Sequence, residues 1–157
     1  MARRYWLMKS EPDVFSFDDL MRAPQRTTCW DGVRNFQARN FLRDDVRAGD
    51  GVLFYHSGED SKAVVGTAEV VKGGHPDPTQ FDERSGHHDP ASRKVDPRWY
   101  AVDIRAEERF ERAVTLDEMR GVPGLGKMRL LQRGQRLSVL PVTAAEWKIV
   151  VKLGKGG

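Results

Sequence analysis

The chain is short of cysteine. Among its 157 residues only Cys29 is present, so no internal disulfide forms and the fold has to be held by a buried core. Long apolar runs are also missing. No stretch approaches the roughly 20 residues of a membrane span, and Lys9 and Glu11 interrupt the apolar start before it can act as a signal segment. An excess of one charge is nearly absent: Lys and Arg number 26 against 23 Asp and Glu, a net charge of +3. That balance admits a polyanionic partner without identifying one, so the placement of the cations matters more than their sum. Catalytic signatures are lacking as well. The sequence has no GxSxG elbow, no Walker loop, no HExxH and no CxxC, and a non-enzymatic protein is expected. These absences leave a single domain over residues 1–157, cytoplasmic, with no membrane partner, monomeric, and without a cofactor.

What is present is a mixture of short strands and capped helices. Strand patterns occur at Tyr5–Met8, Gly51–His56, Ala63–Val71, Trp99–Arg105 and Leu137–Leu140. Ser16 with Asp19, Thr115 with Glu118 and Thr143 with Glu146 carry the spacing that caps a helix start. A further helix is expected over Val33–Asp44. Residues 73–98 hold four prolines and read as a long irregular loop, and the last residues, 153–157, read as a frayed tail. Strands scattered among helices without a βαβ rhythm predict an α+β fold, a small mixed barrel with peripheral helices, rather than a doubly wound sheet.

Three clusters carry candidate binding chemistry. In Trp30-Asp31-Gly32-Val33-Arg34-Asn35 a flat aromatic is followed by a turn signal and an expected helix start. The backbone N–H groups of Gly32, Val33 and Arg34 would then point outward, beside Trp30 as a stacking platform. Lys9-Ser10 ends the first strand, where barrels present polar side chains to ligands. Tyr55-His56-Ser57 ends another strand with stacking and hydrogen-bonding groups together. Cations at Arg34, Arg39, Lys127 and Arg129 are candidates for phosphate contacts. His75, His87 and His88, with Asp77, Asp82, Asp89 and Asp96, lack the fixed spacing of a metal site, and no metal is expected. Cys29 beside Trp30 reads as a structural thiol; its use as a nucleophile would need His56 or His75 close in space.

Taken together, KSEP at Lys9–Pro12, TTCWDGVRNFQARNFL at Thr27–Leu42, FYHS at Phe54–Ser57, DPTQFD at Asp77–Asp82, DPRW at Asp96–Trp99 and QRLSVLPVTAAEW at Gln135–Trp147 resemble the EVE domain family, over about Tyr5 to Val151. The resemblance implies a PUA-like barrel, kinship with YTH domains, and a reader that takes a modified base such as 5-methylcytosine, in DNA, into a pocket. Carried over by position, Lys9 and Ser10 line that pocket, Trp30 is an aromatic wall, Asp31 to Asn35 form a polar floor, and Tyr55, His56 and Ser57 stand opposite. Trp99 is a candidate second wall. An RNA-binding module and a nucleic-acid-modifying enzyme using His56 or Cys29 remain the alternatives.

Overall fold

The run Gly51-Val-Leu-Phe-Tyr55 is buried along its whole length, as a strand covered on both faces must be. It forms β3 (Gly51–His56), and the rest of the sheet assembles around it. The computed structural model describes residues 3–58 and 62–156. β1 (Tyr5–Ser10) lies parallel to β3, Tyr5 opposite Gly51 and Ser10 opposite His56. With β2 (Thr27–Trp30), β4 (Ala63–Pro76), β5 (Tyr100–Thr115) and β6 (Val139–Val142) they make one six-stranded mixed sheet, in the order β2-β5-β4-β3-β1-β6. Thr28 of β2 and Ser138, just before β6, stand at opposite ends of that order, yet both line one cavity. The sheet therefore curls on itself, and this cavity occupies the seam.

The helices start where side-chain oxygens can satisfy free backbone N–H groups. α1 (Phe17–Arg22) and α4 (Ala144–Gly154) carry complete capping boxes, Ser16 with Asp19 and Thr143 with Glu146. Thr115 caps α3 (Leu116–Arg120). The expected helix over Val33–Asp44 begins later. Asn35 caps α2 (Phe36–Asn40) by accepting the Ala38 N–H at 3.0 Å, and one π turn, Phe41–Asp45, follows. Val33 to Asn35 lie outside the helix, because Val33 is buried and Gly32 turns the chain at φ +80°.

Two further expectations change. The irregular loop does not begin at residue 73. β4 continues through Pro76, with His75 opposite Ala101 and Pro76 opposite Tyr100, so side chains that look loop-like still find a ladder on β5. The tail is not frayed from 153, because α4 runs to Gly154, which is buried against Phe110; Gly157 lies outside the described residues. The longest pairing, β4 with β5, also passes a close approach. A Cβ on Gly66 would meet the Glu108 carbonyl and the Phe17 ring, each at 2.7 Å. Gly66→Ala is therefore expected to cost about 1–3 kcal/mol by overpacking, read as a lower urea midpoint with an unchanged m-value.

Candidate nucleic-acid interface

The seam cavity has a volume of about 480 Å3, within the size range of small-ligand sites. Lys9 and Ser10 reach it from the end of β1, Cys29 and Trp30 from β2, and Asp31 to Arg34 from the turn that follows. Trp30 is core and wall at once. It is only 8% exposed and meets Phe54 and Phe15 edge-on, at centroid distances of 5.4 and 6.5 Å, yet it borders the cavity. The Ser10 hydroxyl donates to the Phe15 carbonyl, which leaves its oxygen as an acceptor. Glu11, Val14 and Phe15 from the β1–α1 connection, with His87 and Ser138, complete the lining. Sequence patterning did not place these residues in the pocket, because they come from three separate connections and carry no common spacing.

Asp77 fixes the geometry of the turn. Its side chain is fully buried. It accepts the Gly32 N–H at 2.7 Å and the Arg34 guanidinium at 3.0 Å, and its other oxygen takes the Thr79 N–H and hydroxyl at 2.7 and 2.6 Å. The expectation of free N–H groups on Gly32, Val33 and Arg34 is thus corrected at Gly32, whose proton belongs to Asp77. Arg34 also donates to the His87 carbonyl, which draws the following loop over the cavity. Burial alone would raise the Asp77 carboxyl, but bonds from Thr79, Gly32 and Arg34 outweigh it and hold the group below the usual carboxylate range. Asp31 shows the opposite balance. Burial, then the charge of Asp77, pushes its carboxyl up.

Other expected site residues lie elsewhere. Tyr55 and Ser57 line a second cavity of about 530 Å3, which shares Lys9 with the first. Burial pushes the Tyr55 hydroxyl up to about 12. His56 lines neither cavity: its Nε2 accepts the Phe17 N–H at 3.1 Å at the start of α1, and burial holds its pKa down, which suits a neutral acceptor. Trp99 also lines neither cavity. It is buried, donates from Nε1 to Asp89 at 2.7 Å and stacks on Phe36 at 4.8 Å, so it clamps the 77–99 loop. The expected phosphate cations do not converge. Arg34 is paired with Asp77, Arg39 donates to the Arg98 carbonyl, and Arg129 lies over the Phe41 ring. Lys127 lines neither cavity.

Cys29, His75 and Asp103 bring their donor atoms within 4.8 Å of one another, the one such group among the described residues. Burial, then Asp103, Asp31 and Asp77, pushes the Cys29 thiol up to about 12. A metal or an electrophile would have to displace a firmly held proton there.

The two carboxylates have opposite linkage to pH. Asp77, with a lowered folded pKa, contributes stability that is complete above the unfolded value of about 4 and is lost as pH falls through its folded value. Asp31, raised in the folded state, penalises folding once it ionises, and that penalty is absent below about 4. At pH 7 Asp77→Asn should lower the melting temperature and Asp31→Asn should raise it. Both variants should converge on the parent in acid scanning calorimetry.

Residues 4–153 match the family described as the EVE domain. Mouse thymocyte nuclear protein 1 is 41% identical over 167 aligned residues, which cover 95% of this chain and 73% of the mouse protein. Among solved structures, a hypothetical protein from Leishmania major superposes with a TM-score of 0.92 at 41% identity, covering 99% of this chain and 96% of its own. Human THYN1 protein, solved in complex with DNA containing 5-methylcytosine, superposes with a TM-score of 0.91 at 39% identity, covering 97% of this chain and 98% of its own. The α+β sheet with its seam cavity is thus the PUA-like fold of these relatives, and the chain belongs to the EVE domain family.

Proposed function

We propose that this protein reads a modified base, 5-methylcytosine or a close relative in DNA, by taking it into the seam cavity. The observation that carries the proposal is the cavity itself, which gathers the aromatic rings of Trp30 and Phe15 with the polar groups of Lys9, Asp31 and Arg34 around a volume of about 480 Å3. The human relative bound to 5-methylcytosine-containing DNA supports the choice of ligand.

An extruded base loses duplex stacking worth a few kcal/mol, and an aromatic face returns about 1–3 kcal/mol of it. Asp31 supplies an acceptor suited to the exocyclic amino group of cytosine, and Lys9 a donor suited to its carbonyl. The base methyl gains about 0.8 kcal/mol on burial, or roughly fourfold in affinity. Stronger discrimination needs polar groups that an unmodified base leaves unpaired. His75 does lie within reach of Cys29, but burial and the surrounding carboxylates keep the thiol protonated, and the His56 imidazole is spent on the Phe17 N–H, so catalysis is the weaker reading. None of the helices is long and apolar enough to cross a membrane among the described residues. The vertebrate relatives carry the nucleus in their name, so we keep a cytoplasmic placement only for a cell whose DNA lies in the cytoplasm.

Fluorescence anisotropy with matched oligonucleotides tests the proposal. The protein should prefer the 5-methylcytosine strand by fourfold or more. Ser138→Trp, which fills the cavity from its rim, should abolish the preference while the melting temperature holds. Equal affinity of the parent protein for both strands would refute the reading, and tighter binding of the matched RNA would move it to RNA.

A further inference from the structure

The second cavity has a different character from the first. It lies beside the ends of β1 and β3 and is walled by the turn through Gly134. Among the described residues its charged lining is cationic: Lys9, Lys62, Arg120 and Arg133. None of the four takes part in an ion pair formed among the described residues. The Tyr55 and Ser57 side chains add hydroxyl groups to the same wall. Cations gathered around a concave polar space repel one another, and an anion relieves that repulsion. At Lys9 burial, and after it the charge of Lys62, hold the pKa down.

Lys9 also borders the seam cavity, so the two spaces meet at one side chain. A nucleic-acid strand has the matching layout, with a base on one side of the sugar and a phosphodiester on the other. We propose that the second cavity holds a backbone phosphate of the strand whose base enters the seam cavity, gripped by Lys62, Arg120 and Arg133, with Lys9 at the crossing. This rests on the base-reading function and adds the path of the strand across the protein. The three outer cations are all exposed, so replacing them removes charge without opening the core. They come from the residue preceding β4, the end of α3 and the turn before β6, and no sequence motif links them.

The test compares Lys62→Gln, Arg120→Gln and Arg133→Gln, singly and combined, with Lys152→Gln on α4 as a control for net charge. Binding of methylated and unmodified oligonucleotides is followed from 50 to 200 mM salt, conditions under which each lost phosphate contact lowers the slope of log K on log salt by about 0.7–0.9. The triple variant should lose slope equally with both oligonucleotides and keep its preference for the methylated one, while Lys152→Gln changes neither. An unchanged slope in the triple variant overturns the proposal even where base preference persists. A reduced slope in a protein without base preference supports the phosphate site and sinks the base reading instead. Inorganic phosphate provides the remaining arm. If it shifts the Ser57 and Gly134 amide resonances while the triple variant keeps its slope on DNA, the cavity is a free-anion site and the strand path is wrong.

Discussion

The buried carboxylate of Asp77 is the constraint on which the interface depends. A charge without water is tolerated only when its lone pairs are taken up. Here two backbone N–H groups, a hydroxyl and a guanidinium take them. Satisfying Asp77 fixes the turn at Gly32, holds Arg34 against it, and pins the start of the 77–99 loop beside β2. The same loop is secured at its far end by Trp99, through Asp89 and the stack on Phe36, and in its middle by Gln80, which bonds the backbone of both Asp77 and Trp99. A stretch rich in proline and polar residues is ordered here by a few buried polar groups instead of an apolar core.

Sheet closure places the chemistry. A curled sheet leaves a seam where its edge strands approach, and the seam cavity takes lining from β1, from β2 and from the residue preceding β6. Trp30 joins this site to the core, because its ring packs edge-on against Phe54 of β3 while bordering the open space. The wall is held in place before any ligand arrives, which limits the ordering cost of binding. Lys9, at the end of β1, touches both cavities for a topological reason: its strand lies between β3, whose end leads to Ser57, and β6, which follows Ser138.

Much of the architecture was legible before any coordinate. The strand over Gly51–His56 and the three capped helix starts come from local rules, namely a continuous apolar run and oxygen-bearing side chains three residues before an acidic partner. The motifs that resemble the EVE family also carry Lys9, Ser10 and Trp30 to Arg34, which do gather around one cavity. The division of the remaining site residues was hidden. Tyr55, His56 and Ser57 are consecutive, yet alternation along a strand sends Tyr55 and Ser57 to the second cavity and His56 to the Phe17 N–H. β2 was invisible because four residues ending in Trp30 become a strand only by pairing with β5, more than 70 residues away.

Propensity, capping and periodicity act over a few residues, so the order of amino acids sets which segments prefer strand or helix and which residue types are available for binding. Folding in three dimensions is what occupies the Gly32 N–H, sets Trp99 to clamp a loop away from both cavities, and brings Lys62, Arg120 and Arg133 around one space. Those outcomes depend on which distant residue fills the last lone pair or stands across a gap, and sheet closure sets that. Asp77 and Gly32 are 45 positions apart in the chain and 2.7 Å apart in the fold.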